Sequence, residues 1–432
     1  MKVLMLGFGF PPRMSGGLGT ACQGLARALS TSGTDVLFVV PKLEGDEQAG
    51  RVELLGADSI ELSDATAALP LIERTPAVPA IEELGVTSPL QHYMDEDTYR
   101  ARLDALRKRS VPLPPEERLF RSSYSPDLHS EVQRYARAVA EIVRQREFGV
   151  VHAHDWMSFP AGILAKELTG KPLVCHVHST EYDRRPEGSA TEPDPRIIEL
   201  EKRGLEAADR IVCVSQRSAD ELCERYDIPF AKVRVVHNGV ESVPAPADAE
   251  PEADAQPPTV LFLGRLTHQK GPEYFLEAAA LVVAQAPGMH FVVSGHGDLL
   301  PSLIEQAAEL GLGDNLRFTG FLEGKEREEA FRQAIVYVMP SVAEPFGITP
   351  LEAMARNVPV IVSRQAGVGE VAHSVLKVDY WDTQALAERI LAVLQRPALR
   401  DELIAQGRAE VERLGWDQPA KRIAGIYEEV VA

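Results

Sequence analysis

Two short apolar runs, each ending in glycine, constrain this chain more than any other feature. Lys2-Val-Leu-Met-Leu-Gly7 lies near the start and Thr259-Val-Leu-Phe-Leu-Gly264 past the middle. Each is followed by a polar loop and then by a helical pattern. A short continuous apolar run suits a strand buried on both faces, and such strands alternating with helices build a doubly wound parallel sheet. Further runs of this type fall at 36–40, 150–154, 173–177, 210–214 and 233–237, and again at 290–294, 316–319, 335–339 and 359–363. With 432 residues the chain suits two domains of about 200 residues rather than one core. The expected fold class is α/β, with two Rossmann-like doubly wound parallel-sheet domains facing across a cleft.

The boundary is visible in composition. Residues 242–258 form a Pro/Ala/acidic run that cannot build a core and reads as an exposed linker. The expected domains are therefore 1–242 and 259–415, joined by 243–258. Residues 43–125 are irregular, with a charged helical patch at 98–109, and read as an insertion over the mouth of the N-terminal domain. The tail 416–432 has a helical pattern.

Charge narrows the partners. There are 64 acidic against 45 basic residues, a formal net charge of -19, which repels nucleic-acid phosphates and gives no help in docking to anionic membranes. The apolar start stops at glycines and prolines, as a first strand does and a signal peptide does not. No later apolar run approaches the ~18 residues of a membrane span. Cys22, Cys175, Cys213 and Cys223 contain no C-x-x-C pair and read as reduced, mostly buried thiols of a cytoplasmic protein.

The stretch 341–355 carries the most chemistry. It sets Glu344 and Glu352 on either side of a turn at Gly347 that opens a helix. A helix start offers unpaired N–H groups and the positive end of the macrodipole to a diphosphate, while flanking carboxylates can accept hydrogen bonds from sugar hydroxyls. Glu352 has a second reading, since Thr349, Pro350 and Glu352 also fit the N-cap, N1 and N3 positions of a capping box. Glu344 precedes Pro345 and caps nothing. Arg265 and Lys270 follow the strand ending at Gly264, where open α/β sheets bind ligands. A guanidinium fork and a point-like ammonium suit a diphosphate, although an isolated pair reads equally as solvated charge. The loop Ser15-Gly-Gly-Leu-Gly19 precedes a helical stretch at 20–30, and its glycines let backbone approach a phosphate. Two His-x-His pairs, His152/His154 and His176/His178, each lie on one face of a strand. A zinc site is conceivable there, but no carboxylate or cysteine ligand set of familiar spacing adjoins either pair. Satisfied histidines at the cleft are the plainer reading for three of the four.

These residues match a family pattern. Glu344-Pro-Phe-Gly-x-x-x-Leu-Glu352-Ala-Met-Ala resembles the E-x7-E signature of retaining glycosyltransferases, particularly family 4 and its glycogen and starch synthase relatives. The resemblance extends to the glycine loop at 11–19, Val-His-Ala-His-Asp-Trp at 151–156, His-Val-His-Ser-Thr-Glu-Tyr-Asp-Arg at 176–184 and Gly-Arg-Leu-Thr-His-Gln-Lys-Gly at 264–271. It implies the GT-B fold, with the tail 416–432 crossing back onto the N-terminal domain. It implies a hexosyltransferase that takes a UDP-, ADP- or GDP-linked sugar and passes it to a hydroxyl acceptor, an α-glucan or other soluble saccharide. Transfer would be front-face with retention and would need no metal or other cofactor. Carried over residue by residue, Glu344, His154, Arg265 and Lys270 are the expected catalytic set. Gly16, Gly17, Arg265, Lys270, Gly295, Phe346, Gly347, Ile348 and Glu352 would bind the nucleotide sugar, with Glu352 on the ribose. His178 and Glu181 would line the acceptor side.

Several details qualify the match. Asn357 stands where Ala-x-Gly-x-Pro-Val is usual and reads as a left-handed cap after the helix. Gln365-Ala-Gly-Val-Gly-Glu370 resembles the family's glycine turn near the donor, although Glu370 also reads as an early helical acid. Asp95-Glu-Asp97, the nearest D-x-D, lies in the insertion. The runs at 178–184 and 376–382 look closer to α-glucan-synthase-like members than to lipid mannosyltransferases. Competing functions are a GT-B nucleotide-sugar epimerase or phosphorylase, and a sugar-nucleotide-binding protein without turnover. The intact Glu344, Glu352, Arg265, Lys270 and His154 argue against the last.

Overall fold

The structure, a computed structural model, describes residues 1–10, 17–43, 45, 47, 50–63, 66, 128–241, 243 and 259–432. Strands are numbered in chain order. The first sheet contains β1 (Lys2–Leu6), β2 (Asp35–Val40), β3 (Glu53–Gly56), β4 (Val150–His154), β5 (Leu173–Val177), β6 (Arg210–Cys213) and β7 (Val233–Val235), in the spatial order β3-β2-β1-β4-β5-β6-β7. The second contains β8 (Thr259–Leu263), β9 (His290–Ser294), β10 (Leu316–Gly320), β11 (Ala334–Met339), β12 (Val360–Ser363) and β13 (Leu376–Val378), in the order β10-β9-β8-β11-β12-β13. Every pairing is parallel. β1 and β4 are buried along nearly their whole length, as continuous apolar runs require when helices cover both faces of a sheet.

Both sheets start at the centre and grow outward in two directions. The order reverses between β1 and β4 in one and between β8 and β11 in the other, so a crevice opens beyond the carboxyl ends of each pair. Segments that follow β5 and β6 of the first sheet meet the loops after β8 and β11 of the second across the cleft. Ser218 Oγ lies 3.5 Å from Pro345 O, and His268 Nε2 lies 3.3 Å from Glu187 O.

The last helix, Asp417–Val431, packs against helix Gly17–Thr31 of the first domain. Trp416 anchors the crossing. A Cβ on Gly24 would lie 2.2 Å from its indole and one on Gly239 2.7 Å from its backbone, so glycine at both positions makes room for it. Glu429 then pairs with Arg210 and Arg234 at the far edge.

Two strands depart from the sequence expectation. β3 lies in the stretch read as irregular, and β13 follows a loop where no strand was expected. Both are short edge strands with only part of their length buried, so neither shows a continuous apolar run. Most of the 43–125 insertion, including the 98–109 patch and Asp95 and Asp97, lies outside the described residues, as does nearly all of the linker. Among the described residues no helix is long and apolar enough to cross a membrane.

Candidate active site

The loop after β8 is pressed onto the end of β11. Gly271, at φ +66°, allows this, because a Cβ there would lie 2.1 Å from Pro340 O. Val342 N donates to Gln269 O at 2.9 Å across the same contact. The turn His268–Lys270 therefore delivers the Lys270 ammonium to the carboxylate of Glu344, with Ser341 Oγ 3.5 Å from the same oxygen. Arg265 donates to Gln269 Oε1 at 2.7 Å. Gly295, at φ +143°, lets the loops after β8 and β9 cross, since a Cβ there would lie 1.8 Å from Gly264 O.

Helix Ile348–Ala355 begins at the same place. Its N-cap is Gly347, at φ +97°, and no side chain caps it. Its first-turn N–H groups thus converge beside Lys270 and Glu344 without an intrahelical partner. The capping-box reading fails. Thr349 is already the second helical residue, and Gly347 holds the N-cap position with no side-chain cap. Glu352, one turn in, is paired with Arg327 of helix Gly324–Gln333, whose guanidinium lies 5.5 Å from the Phe331 ring centroid. Phe346 and Ile348 bury their side chains in the core, so they face the crevice with backbone only. Asn357 takes the left-handed conformation, at φ +61°, as a cap after this helix.

Glu370 does something neither reading of it anticipated. Its carboxylate crosses to the other domain and accepts from Gln216 N at 2.8 Å and Arg217 N at 3.0 Å, at the start of helix Gln216–Tyr226, and contacts His237 Nε2 at 2.8 Å. Burial pushes its carboxyl up, but His237 and the two N–H groups outweigh burial and hold it below the ordinary value.

On the first sheet, β4 and β5 run in register with His154 opposite His176, which gathers four imidazoles on one face. Neighbouring rings lie 4.2–5.3 Å apart. His154 Nδ1 is 3.0 Å from His178 Nε2, and His152 Nδ1 is 2.6 Å from the Tyr427 hydroxyl. The expected satisfaction is incomplete. His152 Nε2, His154 Nε2 and both nitrogens of His176 are buried without a partner. Burial pushes His152 and His178 down to about 3 and carries His154 and His176 well below the ordinary value, so all four are neutral at physiological pH. His178 is the half-buried member, while His154 is covered. Asp155, at φ +57°, accepts from His178 N at 2.7 Å, and burial pushes its carboxyl up to about 7.

Glu181 is fully buried and fully engaged. It pairs with Arg184 and Arg185 and accepts from Asp194 N at 3.1 Å. Gly17 opens helix Gly17–Thr31 with open space around its Cα, and Gly16 lies outside the described residues. Arg327, His237 and Tyr427 were not picked out by sequence. None sits in a local motif, and each reaches its partner only through tertiary contact.

Comparison with known proteins agrees with this geometry. Residues 97–242 match the family model described as Glycosyltransferase Family 4, and residues 246–410 match the one described as Glycosyl transferases group 1. A D-inositol 3-phosphate glycosyltransferase of Thermobispora bispora is 33% identical over 346 residues, covering 75% of this chain and 80% of the relative. Among solved structures, sucrose-phosphate synthase of Thermosynechococcus elongatus superposes with a TM-score of 0.72 at 20% identity, covering 99% of this chain and 98% of that one. Anabaena Alr3699/HepE, solved with UDP-glucose, gives a TM-score of 0.66 at 16% identity, covering 99% of this chain and 100% of that one. Two parallel sheets with facing switch points, a tail that crosses back, and this degree of likeness over three quarters of the chain establish the family: the chain is a family 4 glycosyltransferase with the GT-B fold.

Proposed function

We propose that the enzyme transfers a hexosyl group from a nucleotide-diphosphate sugar to a soluble hydroxyl acceptor with retention of anomeric configuration. One observation carries this reading. An uncapped helix start, Lys270, Arg265 and Glu344 converge at the switch point of the second sheet, where a departing diphosphate needs positive charge. The UDP-glucose complex of the Anabaena neighbour supports a UDP-linked donor. The names of the inositol-phosphate and sucrose-phosphate relatives support a small soluble acceptor, with a longer saccharide such as an α-glucan as the second candidate.

In this scheme the diphosphate lies against the first turn of helix Ile348–Ala355, with Lys270 and Arg265 on its oxygens and the backbone of Gly347 and Ile348 close by. Glu352 accepts from the ribose hydroxyls while Arg327 holds it in place. Gly17, at the start of its helix, approaches the phosphates from the opposite domain. As the bond from the anomeric carbon to the phosphate oxygen breaks, the acceptor oxygen bonds to the same face of that carbon, and the acceptor proton passes to the leaving phosphate oxygen. Glu344, released from Lys270 when the diphosphate arrives, faces the sugar ring. His154 acts with His178, which it supports from beneath and which presents an imidazole to the cleft. Glu181 shapes the acceptor side through Arg184. Arg265, Lys270 and the helix start supply the positive charge, so the transfer step itself calls on no metal.

Incubation with a panel of nucleotide sugars and soluble acceptors, followed by NMR of the product anomer, tests the proposal. Free nucleotide diphosphate with an α-glycoside from an α-linked donor is expected. An isomerised nucleotide sugar without glycoside would replace it with the epimerase reading.

A further inference from the structure

The four-histidine cluster is larger than the proposed transfer needs. Three of its members, His152, His154 and His176, each offer a ring nitrogen, and these nitrogens lie within 4.8 Å of one another. All three side chains are buried, with exposures of 0%, 1% and 2%. Each also carries at least one ring nitrogen with no hydrogen-bond partner. A buried polar atom left unpaired is destabilising, and three clustered residues left so offer lone pairs that a bound ion could use.

Hydrogen bonds at the far side of two rings indicate which nitrogens are free. If His152 Nδ1–H donates to the Tyr427 hydroxyl and His154 Nδ1–H to His178 Nε2, both rings leave a bare lone pair on Nε2. A ligating histidine needs this arrangement, with its second nitrogen held by a neighbour that fixes tautomer and ring orientation.

We propose that His152, His154 and His176 form a buried site for a divalent metal of the Zn2+ type beneath the floor of the cleft. Three imidazoles with one position left over suit tetrahedral zinc. With Zn–N bonds of ~2.0–2.1 Å the nitrogens would sit about 3.3 Å apart, so the rings turn inward to close on the ion. Cys22 and His178 form a second group around His154. We favour the three-histidine set because His178 Nε2 is already spent on His154.

The site has a consequence for the cleft. Metal on His154 Nε2 commits the His154 proton to Nδ1, which commits His178 Nε2 to accepting it. His178 then carries its own proton on Nδ1, as a donor available to a sugar oxygen. The metal thus positions a residue of the cleft without touching substrate.

The test uses the full chain without a polyhistidine tag, stripped with chelator and titrated with Zn2+ and with Co2+ as a spectroscopic probe. Binding of about one ion per chain, with the intense visible bands of tetrahedral Co2+ and a rise in melting temperature, is expected. His152→Gln and His176→Gln should abolish the bands. Tyr427→Phe, which keeps the packing and removes the supporting hydroxyl, should weaken binding about 10-fold or more. If the histidine variants fail to fold, the wild-type spectrum and Tyr427→Phe still decide. Absence of tetrahedral bands and of any melting shift in the wild type would overturn the proposal, as would bands that persist unchanged in folded histidine variants.

Discussion

The ammonium of Lys270 is ion-paired with the carboxylate of Glu344, and the pair ties the loop after β8 to the loop after β11 at the crevice of the second sheet. Neither residue is well solvated, with side-chain exposures of 20% and 8%. In the proposed reaction a diphosphate arriving at the helix start would compete for Lys270 and free Glu344 toward the sugar. Lys270→Ala should lower turnover by ~100-fold or more while the protein stays folded, measured as nucleotide release at saturating donor. Turnover close to wild type would remove Lys270 from the leaving-group site.

Glu352 is held by Arg327, so its two oxygens are not equivalent. One is committed to the guanidinium, which leaves the other to make the proposed contact with a ribose hydroxyl. Glu352→Gln should raise the donor KM by about 10-fold or more, the worth of a hydrogen bond to a charged group, with a smaller change in kcat. A loss confined to melting temperature would make the residue purely structural. Arg327→Leu should show the same KM effect more weakly, because it leaves the carboxylate present but unsupported.

The His268 imidazole bridges the domains, with Nδ1 on Glu273 and Nε2 near Glu187 O. The Glu273 hydrogen bond raises its pKa above 6.5, against the opposing effect of burial. A raised folded pKa means stability that is fully present below the unfolded value and is lost as pH rises through the folded one. The melting-temperature gap between wild type and His268→Gln should therefore be larger at about pH 6 than at about pH 9. An equal gap at both would show that the proton is not part of the bridge.

Gly24 faces the indole of Trp416, and a Cβ there would lie 2.2 Å from it. Gly24→Ala should destabilise by about 1–3 kcal/mol through overpacking, despite the better helix propensity of alanine. Urea unfolding is the measurement. A neutral or stabilising result would mean that the crossing tail is not pinned at Trp416.

Much of this site was legible because it is built from strand ends. Arg265, Lys270 and Glu344 follow apolar runs that suit buried parallel strands, and such strands place their following loops on one edge of a sheet. The His-x-His pairs were legible for a similar reason, since alternation fixes their face. What misled was local chemistry with two solutions. Thr349 and Glu352 had the spacing of a capping box, but Gly347 takes the N-cap two residues earlier and leaves Thr349 inside the helix. β3 and β13 escaped because edge strands need no continuous apolar run.

The sequence by itself determined two doubly wound sheets, the loops at their carboxyl ends, and the charged groups those loops carry, because short-range periodicity and glycine placement set strand, turn and face. Only the tertiary structure decided which groups meet. Glu370 finds a helix start 154 residues away, and Tyr427 reaches His152 from 275 residues away after the tail recrosses the cleft. No local pattern encodes such pairings. They follow from how the two sheets face one another and where the last helix docks, and those are set by burial of apolar surface over the whole chain.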